Sequence, residues 1–319
     1  MNVSYEGPTE FAGPDGTAHP VRLTLATSRR LPEGTAVSAV VGRSFRSVRT
    51  WALDGVAATA GRVEVTQGVP DSFEAAYRCH IPASYRDPPR QYRLVTATVR
   101  DAVPAGADVT FDLSGTLCEH AGVEPTLGVW LRWPGEDEPS PVGDPVSLDS
   151  VPGEPAALEV RARPEPEPDG RHRVVVFAAD GAMNPVPSFD ATVTFDSHGT
   201  GTLDGLPDAG TPDDDGRIEM RLGVEGGPVR VAAATEGLHA TGPALFGATP
   251  GATGHYYGGI HFHSRHSHDG DRTVRGAYRY ARDYLNLDAV AVTDHTPGTE
   301  AWERTLAVNE AYDDPGAFV

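Results

Sequence analysis

His261 and His263 stand one residue apart in an extended, β-type run, residues 258–263. Alternate side chains of a strand share a face, so both imidazoles can reach one ion without any bending of the backbone. Neutral imidazole is the commonest metal-binding side chain, and Asp269, a few residues on, adds a hard oxygen ligand. His268 beside it is the alternative ligand at that position. Half of the chain's 12 histidines (255, 261, 263, 266, 268 and 295) crowd between residues 255 and 295.

The flanking sequence supplies elements able to position these groups. In 273–285, Val274, Ala277, Tyr278, Ala281 and Leu285 recur at helical spacing and define one apolar face. Residues 288–293 form a near-continuous apolar run, as expected of a parallel strand covered on both faces. A second helix is expected over about 300–312, and a third strand is expected to begin at 317–319. This is a βα repeat, and His261, His263, Asp294 and His295 all fall at C-terminal strand ends, where βα barrels place their active sites.

His-x-His followed by Ser-x-Asp-Gly, a helix and a strand ending Thr-Asp-His resembles the first two motifs of the PHP (polymerase and histidinol phosphatase) superfamily. Residues 256–264 and 276–295 are more specifically similar to an uncharacterised branch that carries β-rich domains ahead of the metal-binding domain. The resemblance covers roughly 255–319 and implies the N-terminal fragment of a (β/α)7-type barrel. It also implies a C-terminally truncated chain, because the family's later ligands would lie beyond Val319. On that scheme His261, His263, Asp269 and His295 bind metal, Asp294 and His268 support them from behind, and Arg265 meets an anionic substrate. Two or three divalent ions (Zn, Mn or Fe) would activate water against a phosphoester or another ester. The alternative is a non-catalytic β-sandwich binding protein with a vestigial metal motif.

The remainder of the chain is expected to be β-rich. Residues 1–138 alternate apolar and polar over several short runs separated by Gly, Pro and Asp, which fits an antiparallel sandwich. Residues 139–156 read as a Pro- and acid-rich linker. Residues 157–248 hold further short strands and resemble bacterial immunoglobulin-like domains. The acidic loop 208–216 lacks the spacing of an EF-hand and reads as a solvated turn. Trp51, Trp130 and Trp133 read as core residues rather than sugar platforms.

All 26 basic residues are arginine, and 45 acidic residues leave a net charge of −19. Such a surface argues against nucleic-acid binding, which requires basic patches against phosphate. Cys79 and Cys118 do not define a disulfide framework and are expected as free thiols. With no secretory signal at the start and no run of 18 apolar residues, the expectation is a cytoplasmic protein without a membrane partner. No P-loop, dinucleotide fingerprint or Ser-His-Asp arrangement competes, and the expected partner is a small anionic or ester substrate. The sequence does not indicate an oligomeric state.

Overall fold

The computed structural model describes residues 1–12, 17–42, 48–68, 92–117, 121, 126–247, 256–264, 266, 267, 270, 272–295, 298–314 and 318. Among them β-strands dominate, helices are few, and no helix is long and apolar enough to cross a membrane. The chain divides into two compact units, Met1–Val151 and Pro152–Ser267 with Arg272–Val319.

The first unit contains β1 (Asn2–Glu6), β2 (Glu10–Ala12), β3 (His19–Ala26), β4 (Ala36–Gly42), β5 (Val48–Ala58), β6 (Arg62–Gln67), β7 (Tyr92–Asp101), β8 (Asp108–Leu117), β9 (Thr126–Arg132), β10 (Ser140–Ser147) and β11 (Asp149–Val151). Two antiparallel sheets run β1-β3-β8-β5 and β10-β9-β4-β7-β6, while β11 pairs parallel with β2. The pleat explains the pattern in β3, where Val21, Leu23 and Leu25 point inward and Arg22 and Thr24 do not. With Val37, Trp51, Phe111, Leu113, Leu127 and Leu148 they form one core.

Trp51 is a core residue, as expected, whereas Trp130 and Trp133 are only half-buried. The guanidinium of Arg29 stacks 4.0 Å from the Trp133 ring centroid. The span expected as a linker, 139–156, instead supplies β10 and β11. Pro141 and Pro145 are compatible with β10 because it is a sheet-edge strand, bulged between Val142 and Val146. Cys79 and Cys118 lie outside the described residues.

The second unit begins with β12 (Ala157–Ala162), β13 (His172–Ala179), β14 (Val193–Asp204), β15 (Ala209–Gly210), β16 (Arg217–Thr235) and β17 (Leu238–Thr241). They form an antiparallel β-sandwich in the order β12-β13-β16-β14-β15, with β17 also on β16. β16 serves two neighbours in succession, pairing β13 through Leu222 and β14 from Gly223 onward. Leu158, Val174, Val176, Ile218, Met220, Leu222, Val229 and Val231 fill the core. The loop before β16 is a self-contained turn, in which one oxygen of Asp213 accepts from the amides of Asp215 and Arg217.

The rest of this unit is β18 (Gly258–Phe262), α1 (Val274–Arg279), a π-helical turn (Tyr280–Tyr284), β19 (Ala289–Val292) and α2 (Thr299–Tyr312). Thr273 starts α1, its Oγ1 accepting from the Gly276 amide at 2.9 Å. Asn286 ends the helical segment with a φ of 56°, a left-handed conformation that Asn tolerates better than most residues. β18 and β19 pair in parallel, Gly258 opposite Ala289, as the sequence led one to expect. Val274, Tyr278, Ala281, Val290 and Phe318 make the local core.

One expectation for this region is corrected and another is left largely outside the described residues. The third strand expected at 317–319 falls, apart from Phe318, outside the described residues. Asp314 and Phe318 exchange amide hydrogen bonds of 2.8 and 2.9 Å, and Phe318 belongs to the local core. The described residues contain one β-α-β crossover, and a barrel of PHP type is not seen.

The crossover is not a free appendage. On β13, Val174, Val176 and Ala178 face the sandwich core, while Val175, Phe177 and Ala179 face Tyr284. The Phe177 and Tyr284 rings meet edge-on, 5.2 Å between centroids. A seam of arginines completes this contact. Arg173 donates to the carbonyl of Arg282 and to Asn286 Oδ1, and the Asn286 amide donates back to the Arg173 carbonyl. Arg217 pairs with Asp283, and Arg279 with Asp215.

This seam should be acid-sensitive. The hydrogen bond from Arg173 holds the Glu219 carboxyl below its usual range, with burial working in the opposite direction. A carboxyl whose pKa is depressed by folding contributes stability above its unfolded pKa and loses that contribution as pH falls through the folded value. Urea unfolding is therefore expected to show declining stability on acidification through and below the ordinary glutamate range, with a shallower decline in Glu219→Gln. Identical acid limbs for the two proteins would count against this assignment.

Candidate functional site

The histidine-bearing corner is built where β18 and β19 end side by side. Tyr257 and Asp288 set the entry of both strands: the Asp288 amide donates to the Tyr257 carbonyl, and the Tyr257 amide donates to Asp288 Oδ2, each at 2.7 Å. At the far end, Thr293 N donates to the Phe262 carbonyl at 2.7 Å, holding the strand ends together. The two loops that leave these ends carry His263 and His295.

His263 lies in the middle of a row of three rings. Its centroid is 4.7 Å from that of His261 and 4.5 Å from that of His295, both pairs edge-on. The structure thus brings together three of the four residues predicted to form the site. His261 and His295 are exposed and His263 is half-buried, so the row forms an accessible rim.

Asp294 is committed elsewhere. Its Oδ1 accepts from the Ser264 amide at 2.6 Å and from the Ser267 hydroxyl at 2.8 Å, and its Oδ2 accepts from the Ser264 hydroxyl at 2.6 Å. Ser267 Oγ in turn accepts from the His295 amide at 2.7 Å, and Ser264 Oγ from the His266 amide at 3.2 Å. Both serines are buried, so this staple ties the loop after β18 to the loop after β19. Asp294 thereby supports the rim by fixing its backbone. The sequence reading overlooked the two serines, although a hydroxyl directly after His-x-His and another three residues later are the available signal.

The remaining predicted site residues, Asp269, His268 and Arg265, lie outside the described residues, as does His255. Among the described residues, no group of three or more His, Cys, Asp or Glu side chains is arranged to hold a metal ion. The Zn, Mn or Fe centre implied by the family resemblance would also draw on Asp269, which lies outside these residues.

No family model matches the chain, and no curated protein matches it. Solved structures that resemble it include the β-glucuronidase of Parabacteroides merdae, at 12% identity and a TM-score of 0.26, over 77% of this chain and 24% of that one. A glycosyl hydrolase family 2 member from Bacteroides cellulosilyticus gives 13% identity and a TM-score of 0.28 over 76% of this chain and 28% of its own. The Escherichia coli adhesin FdeC gives 14% and 0.26 over 76% and 63%. This chain spans about a quarter of the length of the two glycosidases. Overlap this loose assigns neither a family nor an activity. Nothing in these findings points to a PHP hydrolase, so that family assignment and the phosphoesterase activity drawn from it are set aside.

Proposed function

We propose that the chain is a β-sandwich binding protein whose C-terminal β-α-β unit presents His261, His263 and His295 to a small anionic ligand, without catalysing a reaction on it. The observation that carries this proposal is the commitment of Asp294. The carboxylate beside the three rings accepts three hydrogen bonds from Ser264 and Ser267. It is thus a fixed structural tie rather than a base poised over a substrate, since a general base must reach the proton it removes. Imidazole N–H groups are donors of a kind that suits carboxylate or phosphate oxygens.

The net charge of −19 works against long-range attraction of an anion. Affinity has to come from short hydrogen bonds at the rim, and a dissociation constant of about 1 mM is expected for a ligand as small as inorganic phosphate. Titration of phosphate into the full chain, followed through the histidine ring resonances, tests this. Saturable shifts are expected at His261, His263 and His295, and roughly tenfold weaker binding in His263→Asn. Rings that stay unmoved well past that concentration would overturn the proposal.

A further inference from the structure

We infer that Arg163, on the sandwich, is the positioning residue of the histidine rim, acting through Asp288. Arg163 follows β12 directly, and its carbonyl accepts a hydrogen bond from Nδ1 of the buried His172 at 3.0 Å, which fixes its backbone. Its guanidinium reaches across to the β-α-β unit. Nη1 pairs with Asp288 Oδ1 at 2.5 Å, with the two side chains only 14% and 13% exposed, and Nε donates to the Asn286 carbonyl at 3.0 Å.

The other oxygen of Asp288 takes the amide of Tyr257, the residue that leads into β18. Two residues beyond Arg163, Glu165 accepts from the Tyr257 hydroxyl at 2.5 Å. One short segment of the sandwich thus holds the residues that lead into both parallel strands. That matters because two strands alone are marginal, and a slip of one residue turns every side chain to the opposite face. A slip of β19 against β18 would carry His295 away from His263. The β18–β19 pairing already has an irregularity between Gly259 and Phe262, so its own ladder does not pin the register along its whole length.

This inference rests on the rim described above, but its test reads geometry rather than ligand binding. The double variant Arg163→Met with Asp288→Asn removes both charges together, so that neither is left buried and unpaired. In the native chain, a ring-to-ring NOE between His263 and His295 is expected from their 4.5 Å separation. In the double variant this NOE should disappear while the amide spectrum of the sandwich strands stays native. Arg161→Met, which loses an ion pair with Glu159 on the same strand, should leave it intact. Persistence of the NOE at native intensity in the double variant overturns the inference, and so does loss of the whole fold. If the NOE disappears as predicted while the native chain shows no phosphate response, the positioning role stands and the anion-binding proposal fails.

Discussion

Asp294→Ala should cost the second unit about 3 kcal/mol or more, and the loss should concentrate at the ends of β18 and β19. The substitution strips a carboxylate that accepts from the Ser264 amide, the Ser264 hydroxyl and the Ser267 hydroxyl. Both serines are buried, at 0% and 4% exposure, so water does not readily replace the lost acceptor. A buried donor left without a partner costs roughly 1–3 kcal/mol, and several are orphaned at once. The His295 amide still has Ser267 Oγ as its acceptor, but that hydroxyl no longer has a fixed direction. Asp294→Asn keeps one carbonyl oxygen and should recover part of the loss. Native-state hydrogen exchange reads the effect, with faster opening expected for the amides of Ser264, Thr293 and His295. Unchanged protection at these three would show that the staple contributes nothing.

Gly115→Ala is the second large effect, and it belongs to the first unit. A Cβ at this position on β8 would sit 2.2 Å from Trp51 Cδ2 and 2.4 Å from Cε2. Trp51 is 2% exposed, packed within the core and beside Phe11, so its ring has no open space to enter. Overpacking of a filled core typically costs 1–3 kcal/mol, and a clash with a rigid indole falls at the upper end, about 3 kcal/mol. Urea unfolding monitored by Trp fluorescence should show the lowered midpoint. A midpoint within error of the native one would mean the indole moves aside freely.

Much of the local structure was legible because its causes are local. The parity of His261 and His263 follows from the strand repeat, and their rings do lie together. The helix from Val274 was announced by its apolar spacing, and the apolar run of 289–292 pointed to a covered parallel strand. What escaped reading depends on partners far away in the chain. Arg163 and Asp288, or Arg173 and Asn286, meet only once the sandwich has formed, and nothing near either residue announces the other. The Pro- and acid-rich composition of 139–156 suggested a linker, yet a sheet edge tolerates proline. The family resemblance failed for a related reason: a short run of histidines and a Thr-Asp-His end describe strand-end geometry but do not by themselves specify a chemistry.

The central claim is that the histidine rim binds an anion and does not turn it over. The most direct measurement puts both halves into one experiment, in which the full chain is titrated with phosphate and then assayed on p-nitrophenyl phosphate, with and without added Mn²⁺ or Zn²⁺. Saturable shifts of the His261, His263 and His295 rings are expected, with no release of nitrophenol above the protein-free blank. Release that rises in proportion to protein and vanishes in His263→Ala would contradict it.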